Sequence, residues 1–158
     1  STPSNSSAAS DVYKRQGIAF ASKGQFRKAL KDFNRAISLR KNYAEAYYNR
    51  GLVYQSGSEK LGLARDLSLN KAIDDYSMAI KLNPTYINAY NNRGMIYAIK
   101  GQYRLAIKDF SKIIELNSDQ ADAYYNRGLA YKLSGNFEKA KKDFDQAIRL
   151  NPAYKKNL

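Results

Sequence analysis

The stretch ADAYYNRGLAYKLSGNFEKAKKDFDQAIRLNP, residues 121–152, decides the fold of this chain. In its first half Tyr124, Gly128 and Tyr131 recur at spacings of four and three, which is the spacing of one face of an α-helix. Aromatic and alanine residues recur in the same way in the second half. Gly135 between the halves is suited to a tight turn. The stretch therefore predicts a hairpin of two amphipathic helices with one apolar side.

The same pattern occurs three more times upstream, with a period of 34 residues that is broken once, in the second copy. The copies cover residues 10–43, 44–86, 87–120 and 121–152. The positions that match most clearly are Tyr13, Gly17 and Phe33; Tyr47, Gly51 and Tyr76; Tyr90, Gly94 and Phe110; and Tyr124, Gly128 and Phe144. This pattern resembles the tetratricopeptide repeat family, although tyrosine stands where the family usually has tryptophan. The resemblance implies an all-α fold, a right-handed superhelical solenoid of antiparallel helix hairpins whose first helices line a concave groove.

Composition narrows the chemistry that the chain can perform. It contains no cysteine and no histidine, which excludes a thiolate nucleophile, a Cys/His zinc site and a histidine general base. Only carboxylates, lysine and tyrosine remain, and no convergent cluster of them is visible, so we expect no enzyme, no cofactor and no metal. No apolar run approaches the roughly 20 residues of a membrane span, and no secretory signal is visible. We expect a soluble chain, and the sequence leaves its compartment open.

The family resemblance places a set of polar and aromatic side chains in the groove. The groove positions that it implies are Tyr48, Asn49, Leu52, Asn88, Asn91, Asn92, Met95, Tyr125, Asn126 and Leu129. Asparagine amides both donate and accept hydrogen bonds, which suits the backbone of an extended peptide. The alternative is that Asn49, Asn92 and Asn126 bond only neighbouring backbone. The leading function is therefore a scaffold that holds a peptide or protein segment in this groove.

One subclass of the family binds the acidic tails of chaperones through a clamp of lysine, arginine and asparagine side chains. Here Lys14 is present, but Ile18 stands where that clamp needs asparagine, and Asn88 and Asn92 stand where it needs lysine and arginine. The clamp is incomplete, so chaperone tails are not the expected partner.

The chain is strongly basic, with 27 lysine and arginine residues against 14 aspartate and glutamate residues and a net charge of +13. Much of this charge belongs to second helices, which the resemblance places toward the convex side. The basic residues singled out there are Arg27, Lys31, Arg35, Arg104, Lys108, Lys112, Lys139 and Lys142. The alternative function is a basic subunit of a larger assembly that contacts RNA or an acidic partner through this face. No nucleic-acid motif accompanies the charge, and a solvated, salt-bridged face explains it equally well.

Recurring charges inside the copies predict ion pairs between helices. Arg50, Arg93 and Arg127 precede the packing glycines, and an aspartate precedes the aromatic residue of each second helix. We expect structural arginine–carboxylate bridges, bidentate where geometry allows. The copies also share tyrosines on the packing face, for which we predict core positions: Tyr13, Tyr47, Tyr54, Tyr90, Tyr97, Tyr124 and Tyr131.

Both ends of the chain depart from the pattern. Residues 1–9 are rich in serine, alanine, proline and asparagine, which predicts a disordered tail. Asp11 to Gln16 resembles the translation of a sequencing adaptor, and the alternative is an ordinary divergent terminal repeat. Residues 153–158 are too short for a full capping helix. We expect either a fragment, or an exposed end that self-associates or docks on another molecule.

The second copy carries a nine-residue insertion within residues 57–70. Leu61, Ala64 and Leu67 recur at spacing three, so the segment either extends the second helix backwards or forms a separate short turn. Long insertions in repeat proteins map to one face and often bind partners. A tolerated surface insertion is the simpler alternative.

Overall fold

The computed structural model describes the backbone of residues 3–157 and the side chains of residues 6–156. Within this part of the chain all regular structure is helical, with nine α-helices and one 3-10 turn. The helices form two compact units, one ending at Pro84 and the other beginning at Thr85. The all-α fold of helix hairpins expected from the sequence is confirmed.

Unit 1 contains the first two copies of the repeat. Its helices are α1 (Pro3–Ser22), α2 (Phe26–Leu39), α3 (Ala44–Ser56), α4 (Ser58–Leu61) and α5 (Arg65–Leu82). Helix α1 pairs with α2, α3 pairs with α5, and α2 packs against α3. The unit is thus two hairpins in contact.

Unit 2 contains the two regular copies. Its helices are α6 (Ile87–Ile99), α7 (Tyr103–Leu116), α8 (Ala121–Leu133) and α9 (Phe137–Leu150), followed by the 3-10 turn η1 (Pro152–Asn157). Helix α6 pairs with α7, α8 pairs with α9, and α7 packs against α8. Gly135 adopts a φ of 83° between α8 and α9, which is the left-handed conformation that a tight turn requires.

The repeated glycines allow the two helices of each hairpin to approach closely. A Cβ atom on Gly128 would lie 2.8 Å from the ring of Phe144, inside any real contact distance. The same approach, at 2.7 to 3.0 Å, joins Gly17 with Phe33, Gly51 with Tyr76 and Gly94 with Phe110. Fully buried alanines such as Ala72 and Ala106 lie on the second helices. Each copy of the 34-residue pattern therefore encodes the same contact, in which a glycine of the first helix packs against an aromatic ring of the second helix.

The predicted disordered tail is wrong for the part of it that the structure describes. Helix α1 extends back to Pro3, and residues 1–2 lie outside the described residues. Ser10 is fully buried and its hydroxyl donates to the carbonyl of Ala36 at 3.1 Å. Arg40 donates to the Ser7 hydroxyl at 3.2 Å. Serine and alanine tolerate a helix, and these contacts with the end of α2 supply the stabilisation that composition alone does not reveal.

The insertion in the second copy adopts both of the expected forms. Helix α4 is a separate short turn, followed by Gly62 in the left-handed conformation. Helix α5 begins at Arg65, four residues before Leu69, which matches Phe26 at the start of α2. Leu61 packs against the core cluster of Ala29, Phe33 and Val53. The segment thus covers part of the first hairpin.

The predicted arginine–aspartate bridges are confirmed in copies two, three and four. Arg93 donates from Nε and Nη2 to the two carboxylate oxygens of Asp109 at 2.8 and 2.7 Å. The equivalent bidentate pairs join Arg50 with Asp75 and Arg127 with Asp143. All three aspartates are buried. Burial raises the pKa of Asp109, and the hydrogen bonds and charge of Arg93 oppose that rise.

The repeated tyrosines are less buried than the sequence predicts. Of the seven, only Tyr90 is buried, and the other six are half-buried. In copies three and four an arginine lies beside these rings: the Arg93 guanidinium lies 5.8 Å from the ring centres of both Tyr90 and Tyr97, and Arg127 lies in the same way between Tyr124 and Tyr131. A guanidinium on a ring face gains a cation–π attraction that an apolar neighbour lacks. These tyrosines therefore flank ion pairs, and only Tyr90 is also buried in the core.

Candidate functional site

Each unit contains a cleft between the first helices of its two hairpins. In unit 2 the cleft has a volume of about 280 Å³ and lies between α6 and α8 above Phe110. In unit 1 a cleft of about 320 Å³ lies between α1 and α3 above Phe33. Apart from Phe26, the residues of the unit 1 lining correspond to those of unit 2 at a distance of 77 positions, for example Ile18 with Met95 and Leu52 with Leu129. The fold thus builds the same cleft twice.

The two clefts differ in the chemistry of their rims. Ser22 and Ser56 border the unit 1 cleft, and both hydroxyls donate to backbone carbonyls of their own helices. Ile99 and Leu133 occupy the matching positions in unit 2, and each is 60% exposed. We call the unit 2 site, bordered by Met95, Ile99, Leu129 and Leu133, the apolar cleft. Exposed apolar side chains that converge on a concavity are typical of a binding site.

The amide side chains beside the apolar cleft form a local polar row. Asn126 lies on the cleft wall, and its Nδ2 donates to Oδ1 of Asn91 at 3.5 Å. Asn91 in turn directs its own Nδ2 toward the Met95 sulfur at 3.6 Å. These amides retain further donor and acceptor capacity for a bound backbone.

The structure brings together only some of the side chains assigned to the groove from the sequence. Met95, Asn126 and Leu129 line the apolar cleft, and Asn49 and Leu52 line the cleft of unit 1. The Asn49 amide donates to the carbonyl of Glu45 at 2.7 Å, which is the backbone-bonding alternative. Three further positions lie outside the linings of both clefts: the exposed Asn88 and the half-buried Asn92 and Tyr48, whose ring centre is 5.7 Å from that of Tyr76.

Tyr125, another predicted groove residue, is covered by the C-terminal turn. Its ring stacks on Tyr154 of η1 with centroids 4.5 Å apart, and the Tyr154 hydroxyl donates to the carboxylate of Asp122. Burial, together with this hydrogen bond, raises the pKa of Tyr154 to about 12. The six residues of η1 therefore cover part of the last hairpin, although they do not form a capping helix.

Sequence reasoning missed Ile99 and Leu133, the most exposed apolar residues of the cleft. Both stand at the last position of a first helix, where an apolar residue is also compatible with core packing. The signal that distinguishes them is a comparison between copies, since serine occupies the same position in copies one and two.

The predicted basic face is exposed in both units, apart from one member. Arg27, Lys31 and Arg35 are exposed on α2, and Lys112 on α7 is half-buried and pairs with Glu115 at 2.7 Å. The other four basic residues singled out from the sequence are exposed on α7 and α9: Arg104, Lys108, Lys139 and Lys142. Within the described residues no group of acidic side chains is arranged to hold a metal, and no helix is both long and apolar enough to cross a membrane.

Paired helices with matching clefts and a repeated glycine-to-ring contact define a helical repeat protein that binds other proteins. Family profiles described as "TPR repeat" match residues 17–57, 68–98 and 94–135, and a profile described as "Tetratricopeptide repeat" matches residues 121–154. The chain belongs to the tetratricopeptide repeat family, whose members act as protein–protein interaction scaffolds.

Solved structures of other proteins are similar to most of this chain. A crystal structure of MamA matches with a TM-score of 0.79 at 28% identity, covering 93% of this chain and 81% of that one. Pseudomonas aeruginosa pilF matches with a TM-score of 0.74 at 19% identity, covering 93% and 63%. The tetratricopeptide repeat domain of Arabidopsis OM64 matches with a TM-score of 0.68 at 24% identity, covering 81% and 98%. No curated protein sequence matches the chain.

Proposed function

We propose that this protein is a non-catalytic scaffold that holds a segment of a partner protein, with an apolar side chain of that segment seated in the apolar cleft. The observation that carries the proposal is the difference between the two equivalent clefts. Ile99 and Leu133 expose 60% of their surfaces where the other copies have serine. Burying apolar surface yields about 25 cal/mol per Å², so a partner that covers these two large side chains gains binding free energy.

The chemistry around the apolar cleft indicates the kind of segment that it accepts. A volume of about 280 Å³ suits one large apolar side chain, while Asn91 and Asn126 on the same side offer amide groups to its backbone. The net charge of +13 favours a segment with acidic residues beside the apolar anchor.

A peptide library displayed on phage tests this proposal. We expect selected peptides to share a large apolar residue, and we expect Leu133→Ser to weaken their binding by about tenfold, since one buried leucine side chain is worth roughly 1.5–3 kcal/mol. Leu105→Ser is the matched control, because Leu105 is 42% exposed on α7 and lies outside the cleft lining. Selected peptides that bind Leu133→Ser and the unchanged protein equally well would contradict the proposal.

The alternative function uses the basic side chains on α2, α7 and α9 to contact RNA or an acidic partner. Its supporting observation is that Arg104, Lys108, Lys139 and Lys142 are exposed within one unit. Binding dominated by phosphate contacts would weaken strongly between low and moderate salt, whereas binding in the apolar cleft would persist.

A further inference from the structure

Three of the four hairpins share one internal binding arrangement for a guanidinium group. In copy three the Arg93 guanidinium is held by both oxygens of Asp109 and lies over the Tyr90 ring. Copies two and four repeat this arrangement with Arg50 and Arg127. The protein therefore provides three examples of how this fold binds arginine.

Copy one keeps the binding side chains but lacks the arginine. Tyr13 and Asp32 stand in register with Tyr90 and Asp109, while Gln16 stands where Arg93 would be. Within the described residues, the Oδ2 atom of Asp32 is buried and has no hydrogen-bond partner. A buried carboxylate oxygen without a donor is costly, since hydrogen bonds to charged groups are worth roughly 1.5–3 kcal/mol.

A cleft opens where the missing arginine would lie. It has a volume of about 470 Å³, and its lining includes Tyr13, Asp32 and Asn34. Asn34 already accepts a hydrogen bond from Nη1 of Arg50 at 2.7 Å, as Ser111 accepts one from Arg127 in copy four. The aromatic ring and the carboxylate that bind arginine in the other three copies thus both have counterparts in copy one, where they line a cleft.

The two basic residues that line this cleft are compatible with a bound cation. Lys31 and Arg35 line it, and Arg35 lies 5.9 Å from the Tyr13 ring centre. Copy three carries Lys108 and Lys112 at the same two positions, and there Asp109 still binds Arg93 in bidentate geometry. Neither Lys31 nor Arg35 forms an ion pair with Asp32 in the described part of the chain.

We propose that Tyr13 and Asp32 form a receptor site for an arginine side chain of a partner protein; the proposal rests on residues 11–16 being an ordinary divergent terminal repeat. The guanidinium would stack on Tyr13 and donate two hydrogen bonds to Asp32, which requires the Asp32 side chain to turn its buried Oδ2 toward the cleft. Lysine is a poorer occupant, because an ammonium group cannot make the planar, bidentate contact. The site shares no residue with the lining of the apolar cleft, so its test is independent of the test of the proposed scaffold function.

Nuclear magnetic resonance titration with three short peptides tests the site. The peptides are acetylated glycine–X–glycine amides in which X is arginine, citrulline or lysine. We expect the arginine peptide to shift the signals of Tyr13 and Asp32 and to bind at least about tenfold more tightly than the citrulline peptide, because citrulline has nearly the same shape without the charge. We expect the lysine peptide to be the weaker of the two cationic peptides.

Two variants make the test specific. Asp32→Asn should reduce the affinity for the arginine peptide to that for the citrulline peptide. Gln16→Arg should abolish binding of the arginine peptide, because the new arginine side chain of the protein itself would occupy the site. Gln16→Arg should also raise the melting temperature. Equal binding of arginine and citrulline peptides would overturn the proposal. Unchanged arginine binding by Gln16→Arg would do the same, and so would an absence of arginine binding to the unchanged protein.

Discussion

At the residue scale, the buried arginine–aspartate pair recurs with the same bidentate geometry in copies two, three and four. Asp109 is 3% exposed, and Arg93 is its bidentate partner. We expect Arg93→Ala to lower the free energy of unfolding by about 3 kcal/mol, because it leaves a buried carboxylate unpaired. Urea denaturation followed by circular dichroism measures the loss. Arg104→Ala is the control, since Arg104 is exposed on the same hairpin and should change stability by at most about 0.5 kcal/mol.

The damage done by Arg93→Ala should depend on pH in a defined direction. Burial already raises the pKa of Asp109 above 3.8, and removing Arg93 leaves burial unopposed by its largest counteracting partner. A folded-state pKa above the unfolded value makes the folded state bind protons more tightly, so stability falls as pH rises through that window. The variant should therefore be closer to the unchanged protein at pH 5 than at pH 8. A larger deficit at pH 5 in the same urea experiment would contradict this account.

The sequence predicted these pairs because an arginine and an aspartate recur in register, and a half-buried arginine needs a partner. It did not predict that Tyr97 and Tyr131 are only half-buried, since a tyrosine on the packing face of a helix resembles a core residue until the guanidinium beside it is seen. Similarly, Ile99 and Leu133 resemble core residues by type, and only the comparison with Ser22 and Ser56 at the same position of the other copies sets them apart.

At the scale of elements, the insertion in copy two supports the hairpin before it. Leu61 packs on the cluster that contains Phe33 and Val53. We expect Leu61→Ala to lower the free energy of unfolding by about 2 kcal/mol, the lower end of the cost of truncating a packed leucine. Leu67→Ala is the matched control from the same segment, because Leu67 is 48% exposed. Equal effects of the two substitutions in thermal denaturation would show that the insertion is only a surface loop.

The C-terminal turn should separate from its hairpin in alkali. The pKa of Tyr154 is about 12, against 10.0 for an unperturbed tyrosine, so docking is stabilised fully below pH 10 and loses that contribution between pH 10 and 12. Carbon-13 resonances of the tyrosine Cζ atoms report each titration, and Tyr154→Phe assigns the signal. We expect Asp122→Ala to move this pKa toward 10. Asp119→Ala, which changes an exposed residue just before α8, should leave it unchanged.

Element boundaries show where sequence reasoning reaches its limit. The hairpins of unit 2 were predicted from the repeated helical spacing and the glycine between its halves, and in the structure Gly101 and Gly135 have positive φ at these turns. The extension of α1 to Pro3 was not predicted, because serine-rich composition carries no periodic signal and the stabilising contacts come from Ala36 and Arg40, far along the chain. Contacts with residues distant in the sequence stabilise the start of α1, and local helix propensity does not account for it.

At the scale of the whole molecule, charge and apolar surface are distributed over different elements. The net charge is +13, and the exposed lysines and arginines discussed above lie on α2, α7 and α9. The apolar cleft lies between α6 and α8, and its lining contains no charged side chain. One chain can therefore attract a partner by long-range electrostatics and retain it through apolar contact. Added salt weakens the electrostatic contribution to binding and leaves the apolar contribution largely unchanged.

A fluorescence anisotropy experiment measures both contributions in the intact protein. We expect a random single-stranded RNA of 20 nucleotides to bind at 50 mM salt and to lose at least about tenfold in affinity by 200 mM, because phosphate binding releases counterions. A peptide selected for the apolar cleft should change by less than about threefold, because hydrophobic burial does not depend on released ions. The triple substitution Arg104→Glu, Lys108→Glu and Lys142→Glu should weaken RNA binding strongly and spare peptide binding, whereas Leu133→Ser should weaken peptide binding by about tenfold and spare RNA binding. If Leu133→Ser weakens RNA binding as much as peptide binding, RNA and peptide bind to a single site and not to two separate surfaces.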